Sequence, residues 1–157
     1  MATMTAGKVK NILVAVDGSE HSLAAVSLIR DLNIENIACP ECLVTVIGVL
    51  NPLDSATSAA HKAPILQAQK ILQERCFQVQ SELILGYPAE IIINYAEENR
   101  PDLVVMGAKG LRATLGIFLG GVAQQVIEYA SCPVLIVRAP YKPLKHVMLV
   151  TDGSASS

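Results

Sequence analysis

The residues best suited to chemistry lie in one glycine-spaced segment. Met106-Gly107-Ala108-Lys109-Gly110 closes an apolar run, and after nine intervening residues Gly120-Gly121 opens a stretch with helical periodicity. Glycine at a strand exit and at a helix start lets backbone N–H groups come close to an anion, and the helix N-terminus adds about half a positive charge. The ligand that suits such a loop is a phosphate. Lys109 and Arg112 place two cations in the same segment, each either a phosphate partner or a solvated surface charge. The spacing is not that of a P-loop, which needs Gly-Lys-Ser/Thr at the helix start, nor the compact Gly-x-Gly-x-x-Gly of dinucleotide folds. The residues alone therefore indicate a nucleotide or phosphate binder, with simple turns as the competing explanation of the glycines.

Asp17-Gly18-Ser19 follows the run Ile12-Leu13-Val14-Ala15-Val16. Asp17 suits two roles, a nucleotide contact and a helix cap or turn residue, and both can hold together. His21 and Ser19 beside Asp17 have the residue types of a nucleophilic triad. No Gly-x-Ser-x-Gly elbow accompanies them, and polar residues around a helix start ordinarily cap it. Cys39-Pro40-Glu41-Cys42 has Cys-x-x-Cys form but precedes a strand instead of opening a helix, and Cys76, Cys132, His21, His61 and His146 supply no matching ligand spacing. The cysteines are expected to be reduced thiols, with no resident metal.

These residues need elements to position them. The continuously apolar run at 12–16 predicts a strand covered on both faces, 43–50 and 103–106 predict further buried strands, and 134–137 a last strand opened by Pro133. The alternation Phe77, Val79, Ser81, Leu83, Leu85 predicts a strand nearer the sheet edge. Helical stripes fall between them: Leu23, Val26 and Ile29; a stretch opened by Pro64; Ala89, Ile92, Ile93 and Ala96; and Val122, Ala123, Val126, Ile127 and Ala130. Asn51 to His61 reads as a mobile loop. Alternating strands and helices imply a doubly wound α/β fold, a five-stranded parallel sheet with helices on both faces. Ligands of such sheets sit beyond the carboxyl ends of the strands, where strand order reverses. Asp17, Val49 and Gly107 lie at such ends, so one crevice is predicted.

At 157 residues, just over half of them apolar, the chain suits one well-buried domain. A net charge of -2 gives no basic face for nucleic acid. No stretch reaches the roughly 18 apolar residues of a membrane span, and the opening residues lack a signal pattern. A cytoplasmic protein is expected.

The spacing Gly107-x2-Gly110-x9-Gly120 resembles the ATP-binding signature of the universal stress protein family, Gly-x2-Gly-x9-Gly-(Ser/Thr). The opening strand and turn from Ile12 to Ser19, and Ser131-Cys132-Pro133-Val134-Leu135-Ile136-Val137, are also similar to that family, so the likeness runs from Lys10 to Arg138. The resemblance implies a Rossmann-like fold of the adenine nucleotide alpha hydrolase type. It implies ATP, or AMP or ADP, with adenine near Ala15, Asp17 and Val49. Asp17 would stand at the nucleotide and at its Mg ion, Met106, Gly107 and Gly110 would line ribose and phosphates, and Gly120, Gly121 and Val122 would offer amides to the phosphates. The chain departs from the pattern at Gly121, where the family has Ser or Thr. The lost hydroxyl would cost about 0.5 to 1.5 kcal/mol as an ordinary hydrogen bond. Members of the family commonly dimerise through the last strand, here Val134 to Val137, and tandem members reproduce that pairing within one chain.

Lys145 to Ser157 matches Lys10 to Ser22 at a constant offset of 135 positions, with Lys, Asp, Gly and Ser coinciding. A stress-protein domain over residues 8–140 is therefore expected, followed over 141–157 by a linker and the start of a second repeat. Two functions follow: a nucleotide-dependent stress-response regulator acting through homodimerisation, or a dimerisation scaffold whose nucleotide site has decayed at Gly121. Hydrolysis, if any, would be slow, since no general base is evident near the phosphates.

Overall fold

A computed structural model describes residues 9–32, 41–53, 58–75, 77–111, 116 and 118–148. The chain runs β1 (Asn11–Ala15), α1 (Glu20–Asp31), β2 (Leu43–Leu50), α2 (Ser58–Leu72), β3 (Gln78–Leu85), α3 (Pro88–Asn99), β4 (Leu103–Gly107), α4 (Gly121–Tyr129) and β5 (Val134–Val137). The strands form one sheet in the order β3-β2-β1-β4-β5, parallel at every pairing. This is the doubly wound α/β fold expected from the alternation of elements.

Alternate residues of each central strand feed two cores. Ile12, Val14, Val44, Val46 and Val105 pack with Val26 and Ile29 of α1 and Ala68 and Leu72 of α2. Leu13, Ile47, Val104 and Met106 pack on the opposite face with Ile92 and Ala96 of α3 and Ala123 and Val126 of α4. Burial on both faces explains why β1 reads as an unbroken apolar run. At the sheet edge, β3 alternates half-buried Val79 and Leu83 with exposed Gln78, Gln80 and Glu82. Cys42 is fully buried in the first core, and burial pushes its thiol up, so it serves as a small apolar side chain. Cys39 and Cys76 lie outside the described residues.

Two expectations about the segment after β2 change. α2 begins at Ser58, ahead of Pro64, so residues 58–61 are helical and Pro64 lies inside the helix instead of opening it. A proline there withdraws one donor from the helical ladder. Its ring is placed by a neighbour: a Cβ on Gly18, which has φ +85°, would lie 2.9 Å from Pro64 Cγ. The helix therefore packs its proline against the turn after β1. Residues 54–57 of the expected loop lie outside the described residues.

After β5 the chain crosses α1. Ala139 and Tyr141 pack against the first core, and Tyr141 Oη donates to Asp31 Oδ2 at 2.9 Å. Asp31 also accepts from Arg30 Nε at 2.7 Å and from its Nη2 at 3.1 Å. On the other side of the sheet Tyr95 Oη donates to Glu82 Oε1 at 2.7 Å. Burial first, then the carboxylate acceptor, pushes both phenols up to about 12. Because the folded chain holds these protons more tightly than the unfolded one, their contribution is complete below about pH 10 and is lost as pH rises towards about 12. Titration followed by phenolate absorbance should show these two tyrosines ionising late, and Tyr141→Phe should move one of them out of the alkaline limb.

Beyond Tyr141, Leu144, Val147 and Met148 are exposed, the last two at 75% and 84%, whereas Ile12 and Leu13, their counterparts in the repeat for Val147 and Met148, are each 1% exposed.

Candidate functional site: a crevice where strand order reverses

Successive strands are added from β1 outward on one side, to β2 and β3, and then on the other, to β4 and β5. The reversal lies between β1 and β4, and in sheets of this kind the crevice that takes a ligand opens beyond the strand ends at that point. The turn after β1 carries Asp17, Gly18 and Ser19. The turn after β4 carries Ala108 to Leu111.

Asp17 joins the two walls. Its Oδ1 accepts from Ser19 N–H at 2.9 Å and its Oδ2 from Leu111 N–H at 3.0 Å. Ser19 caps α1, its Oγ accepting from Ser22 N–H at 3.1 Å, and the same hydroxyl donates to the Lys109 carbonyl at 3.1 Å. The aspartate and serine therefore divide their tasks: Ser19 is the cap, and Asp17 latches the far loop to the near turn. The Leu111 amide had no sequence signal, since only the fold brings it to a carboxylate 94 positions away.

The signature glycines serve different purposes. A Cβ on Gly107 would lie 2.6 Å from both His21 C and Ser22 N, so its absence admits the first turn of α1. A Cβ on Gly110 would lie 2.8 Å from Asp17 Oδ2, so that glycine admits the latch. Gly120 donates its N–H to the Ala108 carbonyl at 2.8 Å, so this amide is spent inside the chain and is not the free donor that the resemblance implied. The N–H groups of Gly121, Val122 and Ala123 fall in the first turn of α4, where no intrahelical acceptor exists, and the N-cap Gly120 supplies no side chain for them. Among the described residues, nothing outside its own helix backbone and chain neighbours lies within 4 Å of a Cβ built on Gly121.

The other expected residues divide likewise. Ala15 and Val49 are half-buried at the ends of β1 and β2. Met106 is 5% exposed and turns its side chain into the second core, leaving only its backbone towards the crevice. His21 Nδ1 accepts from Ala139 N–H at 2.9 Å, and the Ser19 hydroxyl proton goes to the Lys109 carbonyl instead of to His21. Arg112 lies outside the described residues. No helix among the described residues is long and apolar enough to cross a membrane.

The sequence model of the universal stress protein family matches residues 8–138. Universal stress protein MJ0531 of Methanocaldococcus jannaschii is 29% identical over 143 residues, 85% of this chain and 84% of its own length. Universal stress protein Slr1230 of Synechocystis is 33% identical over 83% of this chain, which spans 43% of that longer protein. Among solved structures, the hypothetical protein MJ0577 superposes with a TM-score of 0.74 at 24% identity, over 86% of this chain and 99% of its own. A universal stress protein in complex with cAMP superposes at 0.67 and 23% identity, over 84% and 98% of the two chains. The Archaeoglobus fulgidus protein in complex with dAMP does so at 0.62 and 20%, over 83% and 98%. Since that family's sequence model covers most of the chain and the fold agrees, this chain belongs to the universal stress protein family.

Proposed function

We propose that the domain binds an adenine nucleotide, ATP with Mg or else ADP or AMP, in the crevice between β1 and β4, and that occupancy regulates a stress response through a homodimer. The observation that carries this reading is the pairing of a latched loop with a glycine-capped helix: Asp17 holds Leu111, while the N-cap Gly120 gives the first-turn amides of α4 no side-chain cap. That arrangement suits an anion at α4 and a ribose and base over the turn after β1. The structural neighbours in complex with cAMP and dAMP support adenine as the base. Asp17 is exposed, and each of its oxygens keeps a lone pair beyond the amide it already accepts, so it suits a water of a nucleotide-bound Mg. The protein would work in the cytoplasm.

β5 is the last strand in the order, and its outer edge offers Val134, Leu135 and Ile136, all half-buried. It is the edge we assign to the dimer, or to a second repeat beginning near Lys145. The latter draws support from the exposed Val147 and Met148 and from the longer Synechocystis relative.

A second reading, a scaffold with a decayed site, is favoured by Gly121 itself. No described residue beyond its own helix backbone and chain neighbours crowds a Cβ there, so among the described residues packing does not demand glycine. Calorimetric titration with Mg-ATP decides between the two, with sedimentation of the same samples reporting the assembly. The wild-type protein should bind, and Gly121→Ser should bind about tenfold more tightly by restoring a hydroxyl to a charged acceptor. No heat from the wild type at millimolar Mg-ATP, with binding recovered only in the serine variant, would establish the decayed scaffold.

A further inference from the structure

Arg138 is the first residue beyond β5. Along that strand Leu135 and Val137 join the core under α1 and α2, while Val134 and Ile136 join the core under α3 and α4. The period of two sends Arg138 to the α4 side. Two hydrogen bonds fix its distance from the start of that helix. Ala108 N–H donates to the Val137 carbonyl at 2.8 Å, and the Ala108 carbonyl accepts from Gly120 N–H, also at 2.8 Å. The end of β5, the loop after β4 and the N-cap of α4 are thus three consecutive rungs.

The Arg138 guanidinium carbon lies 5.3 Å from the centroid of the Phe118 ring. Phe118 is 77% exposed and stands two positions before the N-cap of α4. Its contribution to the core is small, so its placement calls for another reason. Among the described residues no carboxylate pairs with Arg138. A ring holds a guanidinium by its face and leaves the N–H edge available. Arg138, exposed and without a carboxylate partner among the described residues, is therefore a cation restrained by Phe118 near the start of α4, where the N-cap Gly120 offers the first-turn amides no side chain.

We propose that Arg138, steadied on Phe118, contacts the outer phosphates of the bound nucleotide and selects nucleoside di- and triphosphates over monophosphates. This rests on the nucleotide reading above. It also accounts for a phosphate end lacking the family's hydroxyl at Gly121: charge supplied from the end of β5 replaces a neutral hydrogen bond supplied from the helix. Phe118 acts through Arg138 and is a positioning residue.

The test is titration of Mg-ATP and, separately, AMP into the wild type, Arg138→Gln, Arg138→Lys and Phe118→Ala, with sedimentation of each. Arg138→Gln should weaken ATP about 5- to 20-fold and AMP by less than about twofold, as expected for loss of a charge-assisted contact to the outer phosphates alone. Arg138→Lys should recover part of the loss, and Phe118→Ala should weaken ATP only when Arg138 is present. If Arg138→Gln binds ATP as the wild type does, loses ATP and AMP equally, or changes only the assembly, the inference is overturned while nucleotide binding stands. If the wild type binds neither nucleotide, the nucleotide reading itself fails.

Discussion

Gly107→Ala should lower the stability of this domain by roughly 2 to 4 kcal/mol, a fall in Tm of about 5 to 15 °C for a chain of this length. The added Cβ would lie 2.6 Å from His21 C and Ser22 N, and both are backbone atoms. No rotamer change relieves such a contact. The first turn of α1 must move off the end of β4, the strand on which that helix packs in the first core beside Val105. Gly121→Ala is the control: among the described residues nothing beyond its own helix backbone and chain neighbours lies within 4 Å of its Cβ, and alanine suits a helix better than glycine does. Thermal denaturation of the two variants checks the contrast. Equal Tm values would mean that the close approach of α1 to β4 carries no energetic weight.

The second large effect concerns binding. Asp17→Ala should weaken Mg-ATP by about tenfold to a hundredfold, because it removes a charged acceptor from two backbone amides on opposite walls of the crevice. Asn is expected to be a poor substitute. It keeps one oxygen and turns an NH2 group towards an N–H that needs an acceptor. Gly110→Ala disturbs the same contact from the other side, its Cβ lying 2.8 Å from Asp17 Oδ2. The double variant should therefore lose little more than the worse single one, the non-additivity expected of groups sharing one interaction. Calorimetry on the three proteins reads this directly. Fully additive losses would show that Asp17 and Gly110 act independently.

Most of the fold could be read from the residue pattern because the strands announce themselves. Burial on both faces makes the run from Ile12 continuously apolar and the run from Leu43 apolar apart from Thr45, and the half-exposed edge makes β3 alternate. The start of α2 was missed for a physical reason. Pro64 is read as a helix opener because proline suits a first turn, and nothing nearby reveals that its ring would be matched to Gly18. The site was legible in its residue types but not in their division of labour. Gly107 to Gly121 read as one phosphate loop, whereas the first glycine serves helix packing, the second the aspartate latch, and the N-cap glycine spends its amide on Ala108. Those assignments depend on contacts across the sheet, which spacing along the chain does not encode. The same holds for Arg138 and Phe118, which the strand order alone brings together.

The hydrogen bond from Ala139 to His21 places the departing chain on the same helical turn that closes over Gly107. That turn also carries Ser22, held by the Ser19 hydroxyl that reaches across to Lys109. Whatever is attached beyond Tyr141 is thus tethered to the rim of the crevice by a few residues. A pull on the tail would load Tyr141 and the Asp31 end of α1 first, and would reach the rim at His21 only once that anchor had given way.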